Sequence, residues 1–209
     1  MEVNYKNAFI QLINFLETLE KDRGIKYYLV GGILTSIYSE ARSTTDIDFV
    51  VDLSSTNLTL ANYISLLQQN EFFPFQDWPT TIALAKNTRI VQYLDKQERI
   101  KLDNYIIDKD NKSKHKRIGP VALERRIRIT FADIECWAAS KEDFILSKLV
   151  FGGWQDYSDA LACWIRFNDI LDTLYLDNIS NELGIQNEYN LLKSGIDDPD
   201  DYFKQINGY

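Results

Sequence analysis

The apolar positions of the chain alternate between helical and strand periodicity. In residues 3–22, apolar side chains recur every three or four positions, which predicts an amphipathic helix ending before Gly24. The segments IKYYLV and DIDFVVD are short and rich in branched and aromatic residues, which predicts two strands. Helical spacing returns in residues 33–40 and 57–70 and behind Pro79, and RIVQYLD and RIKLDNYIID predict a hairpin around the polar KQE.

The second half of the chain predicts a polar loop, another hairpin and a helical end. Residues 109–120 are charged and close with Gly-Pro, as in a surface loop, and they contain the one histidine, His115. The segments RRIRITF and DIECWAAS predict the hairpin, and helical patterns follow from Lys141. The acidic tail from residue 197 is predicted to pack loosely.

This order of elements predicts the fold class. Helices that alternate with strands, with antiparallel partners late in the chain, predict an α/β (α+β) protein whose mixed, mostly antiparallel sheet is flanked by helices. Residues 1–140 would form the sheet domain and residues 141–209 a C-terminal helical segment packed on it. With 209 residues, of which 45% are hydrophobic, the chain can bury a core of that size.

Charge and cysteine content restrict the classes of function. The formal net charge is -8, which argues against binding nucleic acid by general electrostatic attraction. The two cysteines, Cys136 and Cys163, form no C-x-x-C pair, so neither a disulfide framework nor a zinc site is indicated. Charges are scattered through the N-terminal apolar pattern, unlike in a signal peptide or a membrane span. We expect a cytoplasmic protein without a membrane partner.

Two aspartates interrupt a strand that is otherwise apolar. Asp46 and Asp48 are two residues apart in DIDFVVD, so their side chains project from the same face. Like charges at this separation repel each other, and a bound metal ion is the usual compensation. Carboxylate oxygens suit Mg²⁺, with Mn²⁺ as the alternative. Asp103, inside the apolar RIKLDNYII, is the best third carboxylate, with a surface position on its strand as the alternative.

A glycine pair precedes these aspartates. Gly31 and Gly32 stand where IKYYLV turns into a helix, and such a turn exposes backbone N–H groups at the positive end of the helix dipole. Thr35 and Ser36 follow closely enough to add a hydroxyl group. Taken alone, the glycine pair indicates only a tight turn between a strand and a helix.

Together these motifs resemble the DNA polymerase beta nucleotidyltransferase superfamily. Its members have Gly-Gly at the end of a strand, then a helix and an Arg-x-Thr-x-Asp-x-Asp run, here RSTTDID in residues 42–48. The chain is most similar to the small bacterial and archaeal nucleotidyltransferases that include abortive-infection type IV toxins and lincosamide nucleotidyltransferases. The later SKEDFILSKLVFGGWQDYSDAL is similar to their helix with Lys-Leu followed by Asp-x-x-Asp, so the matches span residues 27–162.

The resemblance implies a set of site residues. The implied metal ligands are Asp46, Asp48 and Asp103. The implied nucleotide-binding residues are Gly31, Gly32, a hydroxyl at Thr35 or Ser36, Arg42 and Lys148. For Arg42 the alternative is a brace for the aspartates, and for Lys148 it is a snorkelling surface lysine. Ile33 is a departure from the family, because many members have Ser or Gly directly after the glycine pair.

The resemblance also implies an activity. It is the Mg²⁺-dependent transfer of a nucleoside monophosphate from a nucleoside triphosphate to an acceptor hydroxyl, with release of pyrophosphate. The acceptor stays open between an RNA such as tRNA, a protein, and a small molecule such as a cationic antibiotic, which the acidic surface would attract. The alternative function is a catalytically silent binding module, such as the protein partner in a toxin and antitoxin pair.

Two further groups of charged residues each allow two interpretations. Eight basic residues in the range 109–128 would form a patch for a tRNA backbone or a triphosphate, or else a solvated loop and an alternating strand. Asp156 and Asp159 are predicted to be the N-cap and a first-turn charge of a helix, in preference to catalytic residues.

Overall fold

The computed structural model describes residues 3–40, 44–109 and 119–208. The α-helices of these ranges are α1 (Val3–Arg23), α2 (Gly31–Tyr38), α3 (Leu60–Gln69), α4 (Trp78–Thr88), α5 (Gly119–Glu124), α6 (Lys141–Phe151), α7 (Trp154–Phe167), α8 (Thr173–Leu183), α9 (Gln186–Lys193) and α10 (Pro199–Asn207). The strands are β1 (Tyr27–Leu29), β2 (Asp46–Asp52), β3 (Phe73–Pro74), β4 (Ile90–Leu94), β5 (Lys101–Ile107), β6 (Ile127–Phe131) and β7 (Ile134–Ala138).

The strands of the described residues form one seven-stranded sheet in the order β3, β4, β5, β2, β1, β7, β6. Strand β1 is parallel to β7 and β2 is parallel to β5, whereas the other neighbouring pairs are antiparallel. The prediction of a mixed, mostly antiparallel sheet is therefore confirmed. Helices flank this sheet, and the chain continues after β7 as helices, as the sequence pattern predicts.

The parallel pairing of β2 with β5 determines which polar side chains meet at the centre of the sheet. Asp48 is the register partner of Asp103, and Asp46 is the partner of Lys101. Residues paired across neighbouring strands point to the same face, so these four side chains share one face. Ile47, between the two aspartates, is fully buried on the opposite face.

Helix α1 buries its apolar stripe in the core. Phe9, Leu12 and Leu16 are each at most 1% exposed, as the helical spacing of apolar residues predicts. The ring of Phe9 contacts that of Phe131 on β6 edge to face, with 5.1 Å between the centroids. No described helix, α1 included, has the length and apolar composition that crossing a membrane requires.

The C-terminal helices pack on α2, the helix that follows the glycine pair. The hydroxyl of Tyr38 donates a hydrogen bond to the carbonyl of Ala139 at 2.9 Å, and its ring contacts Phe144 of α6 and Phe167 of α7. One hydrophobic cluster includes buried residues from both sides of residue 140. The predicted division into two domains at that residue stays a prediction.

The loop predicted for residues 109–120 lies mostly outside the described residues, and its last two residues begin α5. The prediction that the acidic tail packs loosely was wrong, because the tail forms α10. Asp198 caps α10 by accepting a hydrogen bond from the N–H of Asp201 at 2.9 Å. Tyr202 is fully buried against the ring of Tyr157, with 5.2 Å between the centroids. Burial of this aromatic side chain, which charge composition does not indicate, holds the tail in place.

Candidate active site

The predicted metal-binding aspartates lie at the centre of the sheet, beside the start of α2. Asp46 and Asp48 are the first and third residues of β2, and Asp103 lies opposite Asp48 on β5. Asp46 and Asp48 are half-buried, and Asp103 is only 9% exposed. The alternative of a surface position for Asp103 is therefore wrong.

Asp48 has the strongest electrostatic conflict of the group. Burial, then the carboxylate of Asp46, and to a smaller extent that of Asp103, raise the pKa of Asp48 from 3.8 to about 6. The N–H of Gly32 donates to Oδ2 of Asp48 at 3.4 Å and opposes this rise. Because the carboxylates repel each other where water is partly excluded, a bound cation would stabilise the ionised group.

The glycine pair is required by close contacts with β2 and the segment before it. Gly31 has φ +64°, and a Cβ on it would lie 2.1 Å from Oδ2 of Asp48. A Cβ on Gly32 would lie 2.4 Å from Oγ1 of Thr44. Any side chain at either position would therefore displace a polar group of the site. The two glycines allow the backbone at the start of α2 to lie directly against the aspartates.

The start of α2 lacks a side-chain cap from its own N-cap residue. Its N-cap residue is Val30, whose side chain cannot accept a hydrogen bond from the first turn. The positive end of the helix dipole thus faces the aspartates without a capping side chain of its own. This arrangement can bind a phosphate through backbone N–H groups. Such binding needs no hydroxyl group from the residue after the glycine pair, which is Ile33 in this chain.

The two predicted hydroxyl groups differ in their placement. Thr35 is fully buried, and its hydroxyl lies 3.2 Å from Oδ2 of Asp159 and 3.4 Å from the carbonyl of Gly31. Ser36 is half-buried and donates to the carbonyl of Gly32 at 3.2 Å. Of the two, Ser36 has the side chain that reaches the surface near the glycine pair.

Lys148 lies in a buried ion pair. Its Nζ is 2.9 Å from Oδ1 of Asp156 and 2.8 Å from Oδ2 of Asp159, and the residue is 8% exposed. The alternative of a snorkelling surface lysine is therefore wrong. The N-cap of α7 is Gly153 and not Asp156 as predicted, and Asp156 is instead the first-turn charge. Asp159, predicted in the first turn, lies buried one turn later. Lys148, Asp159 and Thr35 form a connected network behind the glycine pair.

Sequence reasoning missed two residues that contact Asp103. Nζ of Lys101 lies 2.7 Å from Oδ2 of Asp103, and Nε2 of Gln92 donates to Oδ1 at 3.0 Å. Lys101 is two residues before Asp103, so strand alternation alone could have placed it on the same face. Gln92 is on β4, and only the pairing of β4 with β5 identifies it as a neighbour.

Tyr5 is a further residue that the sequence did not indicate. It lies on α1, is 6% exposed, and its hydroxyl donates to the carbonyl of Asp46 at 3.2 Å. Burial, together with the carboxylates of Asp48 and Asp46, raises the pKa of Tyr5 well above its usual value. The tyrosine therefore stays protonated and connects α1 with the start of β2.

The donor set of the site suits a hard divalent cation. Among the described residues, no group of three or more His, Cys, Asp or Glu side chains is arranged to hold a metal ion. The three aspartates nevertheless share a face, and two of them raise the pKa of the third. Lys101 supplies one positive charge at Asp103. Carboxylate oxygens are the ligands that Mg²⁺ and Mn²⁺ prefer, so these three side chains are the ones that could hold such an ion.

The predicted basic patch is only partly described. Arg42, residues 110–118 and the histidine among them lie outside the described residues. Arg125, Arg126 and Arg128 all lie near carboxylates of the chain itself. Their partners are Glu142 and Asp172 for Arg125, Glu20 for Arg126, and Glu17 and Glu135 for Arg128. All three arginines are therefore paired with acidic side chains of the chain itself.

The fold of the chain is similar to that of solved protein structures. No protein-family model matches the chain, and no curated protein matches it. The fold is similar to that in the crystal structure of an antigenic nucleotidyltransferase-like protein from Paracoccidioides brasiliensis, with a TM-score of 0.53 and 16% sequence identity. The similarity covers 92% of this chain and 94% of that chain. At this identity the similarity shows a nucleotidyltransferase-like fold and leaves the subfamily open.

Proposed function

We propose that this protein is a metal-dependent nucleotidyltransferase that moves a nucleoside monophosphate from a nucleoside triphosphate to an acceptor hydroxyl. The supporting observation is that Asp46, Asp48 and Asp103 share one face of the sheet beside Gly31 and Gly32, within a nucleotidyltransferase-like fold. The proposal includes Mg²⁺, with Mn²⁺ as the alternative, and the cytoplasm as the compartment that supplies the ion and the triphosphate.

The proposed reaction is a displacement at phosphorus. The acceptor oxygen bonds to the α-phosphorus, the bond from that phosphorus to the bridging oxygen breaks, and pyrophosphate leaves with the electron pair. Mg²⁺ held by Asp46, Asp48 and Asp103 would neutralise phosphate charge and orient the reacting oxygens. In this proposal Asp103 accepts the proton of the acceptor hydroxyl on a carboxylate oxygen.

The other residues of the site bind or position. The N–H groups at the start of α2, Ser36 and Arg42 bind the triphosphate in this proposal. Thr35 and Lys148 are positioning residues in this proposal, because both are buried in contact with Asp159. They hold the first turn of α2 against the C-terminal helices and thereby position the phosphate-binding backbone.

A silent binding module is the second candidate function, such as the protein partner in a toxin and antitoxin pair. The observation in its favour is the ion pair between Lys101 and Asp103, which already neutralises the third carboxylate. Such a protein would keep the fold and bind a partner without transferring a nucleotide.

The experiment that separates these functions is a transfer assay. The purified protein is incubated with Mg²⁺ and each α-labelled nucleoside triphosphate in the presence of total tRNA, a protein extract, or antibiotics that include aminoglycosides and lincosamides. We expect label on one acceptor class with the wild type, and none with Asp46→Ala or Asp48→Asn, because the ion loses a ligand. Asp22→Asn, an exposed change on α1, is the matched control.

The same preparations test the second candidate. Thermal unfolding with and without Mg²⁺ and a triphosphate measures binding directly, since a ligand of the folded state raises Tm. A protein that neither transfers label nor shifts in Tm would be the silent module, and an active Asp48→Asn variant would refute the metal ligands.

A further inference from the structure

A small cavity lies between α4 and β4, the strand that neighbours the strand of Asp103 on the side away from the glycine pair. Its volume is about 230 Å³, and its lining includes Phe75, Leu84, Ile90 and Gln92. Gln92 is shared by the cavity and the site, because its amide donates to Oδ1 of Asp103 at 3.0 Å. Gln92 thus connects the cavity with the carboxylate that takes the acceptor proton in the proposed function, on which this inference rests.

The strand order puts the cavity in the direction from which an acceptor would arrive. The sheet runs β4, β5, β2, β1, so Gln92, Asp103, Asp48 and the glycine pair that follows β1 succeed one another across it. A displacement at phosphorus needs the attacking and leaving oxygens on opposite sides of the phosphorus atom. With the triphosphate held at Gly31, the leaving group lies toward β1 and the attacking hydroxyl lies toward β4.

The lining of the cavity indicates an uncharged ring as its occupant. Every residue that lines it is neutral: Phe75, Gln76, Thr81, Leu84, Thr88, Ile90 and Gln92. Phe75 and Leu84 are each 49% exposed, so their apolar surfaces are open to a ligand. An aromatic side chain beside amide groups can stack on a planar ring and hydrogen-bond its edge. A polycationic aminoglycoside would find no carboxylate among these lining residues.

A positive charge stands beside this neutral cavity. Nζ of Lys101 lies 5.8 Å from the centroid of the Phe75 ring and 2.7 Å from Oδ2 of Asp103. A ligand whose ring stacks on Phe75 would place its attached groups near this ammonium. The combination suits a ring that carries both a hydroxyl and a phosphate.

We propose that the Phe75 cavity is the acceptor subsite, and that it takes a nucleoside whose base stacks on Phe75 and whose phosphate lies near Lys101. The sugar hydroxyl then faces Asp103, to which it loses its proton as its oxygen bonds to the α-phosphorus of the bound triphosphate. Pyrophosphate leaves on the opposite side. The acceptor nucleoside is either free or the 3′ end of an RNA, since both present the same chemistry.

Ligand-observed NMR tests this without requiring activity. The donor site is first saturated with Mg²⁺ and a non-hydrolysable triphosphate analogue, and the probes are then AMP, CMP, a short RNA and kanamycin. We expect Phe75→Ala to weaken binding of the monophosphates or the RNA by about tenfold, the scale of losing one base–aromatic stack. Phe75→Tyr should retain binding. Phe151→Ala is the matched control, because that ring is 50% exposed and lies outside the cavity lining.

Leu84→Gln is a second change in the cavity lining and should also weaken binding. It keeps the test valid if Phe75→Ala fails to fold. Tighter binding of the RNA than of the free monophosphates would indicate the 3′ end of an RNA as the acceptor, and the reverse order would indicate a free nucleotide. Equal binding by wild type, Phe75→Ala and Leu84→Gln would overturn the subsite, as would tighter binding of kanamycin than of every nucleotide probe.

The transfer assay keeps the two proposals separate. If Asp48→Asn loses transfer while Phe75→Ala keeps the acceptor KM of the wild type, the function stands and the subsite fails. If the nucleotides bind through Phe75 but the wild type transfers nothing, the cavity is a nucleotide site and the proposed reaction fails.

Discussion

Asp48 lies under two opposing influences. Burial and the neighbouring carboxylates favour the protonated form, whereas the N–H of Gly32 favours the ionised form. Gly31 lies against the carboxylate of Asp48, and Gly32 lies against Thr44, so the backbone at the start of α2 packs closely on this group. At neutral pH without a divalent ion, the folded protein therefore carries a destabilised carboxylate at the centre of its sheet.

We predict that Asp48→Asn makes the metal-free protein more stable at pH 8. The pKa of Asp48 is about 6 when folded and 3.8 in its ordinary state, so the folded protein binds the proton more tightly. Wild-type stability is therefore unaffected by this group below pH 4 and falls as pH rises through 6, by about 3 kcal/mol in total. Asn does not ionise, so the variant escapes this loss.

Urea unfolding of the metal-free proteins from pH 4 to pH 8 measures the difference. The two curves should converge near pH 4, separate between pH 4 and pH 6, and keep a constant difference above that range. Asp22→Asn should follow the wild type throughout. An Asp48→Asn protein no more stable than the wild type at pH 8 would show that the carboxylate is not destabilised.

At the scale of the element, α6 shows how a helix start is built into the core. Oγ of Ser140 accepts a hydrogen bond from the N–H of Asp143 at 3.1 Å and donates to Oδ2 of the same residue at 2.8 Å. Asp143 is 1% exposed, and its carboxylate also accepts from the hydroxyl of Tyr175 on α8. Burial raises the pKa of Asp143, and the bonds from Tyr175 and Ser140 oppose that rise. The cap thus stabilises both a helix terminus and a buried carboxyl group.

We predict that Ser140→Ala lowers the free energy of unfolding by about 2 kcal/mol, the upper part of the range for N-caps, because it also removes a partner of Asp143. Thr59→Ala is the matched control, since Thr59 caps α3 by the same bond to the N–H of Asn62 but is exposed. Urea unfolding should show a smaller loss for Thr59→Ala. Equal losses in the two variants would contradict a role of burial at the α6 cap.

For the whole molecule, Lys148 connects parts that are distant in the chain. It lies on α6 and pairs with Asp156 and Asp159 on α7, and Asp159 in turn contacts Thr35 on α2. Asp159 is 3% exposed, and Lys148 is the cation that lies against its carboxylate at 2.8 Å. The network holds the glycine-bearing start of α2 against the C-terminal helices.

We predict that Lys148→Met lowers the free energy of unfolding by about 3–5 kcal/mol, because it leaves a buried carboxylate without its cation. Adding Asp159→Asn should recover part of this loss, since the uncompensated charge is then removed as well. Thermal or urea unfolding of the two single variants and the double variant completes the cycle. A double variant whose loss equals the sum of the single losses would show that the two residues are not coupled.

Much of the fold can be predicted from local pattern. The spacing of apolar residues indicated α1, β2, both hairpins and the helical end of the chain, because each depends on periodicity within a few turns. The tail helix α10 escaped prediction because its stability comes from Tyr202 packing on Tyr157, a contact between residues far apart in the chain. The two-residue β3 carries too little pattern to be found.

The candidate site divides in the same way. The sequence by itself determined that Asp46 and Asp48 share a face and that a glycine pair precedes them, because strand alternation and backbone freedom are local properties. Only the tertiary structure decided that Asp103 lies opposite Asp48, since the register of two strands depends on the packing of the whole sheet. It likewise decided that Gln92 connects the Phe75 cavity with Asp103, because those contacts exist only once β4, β5 and α4 have come together.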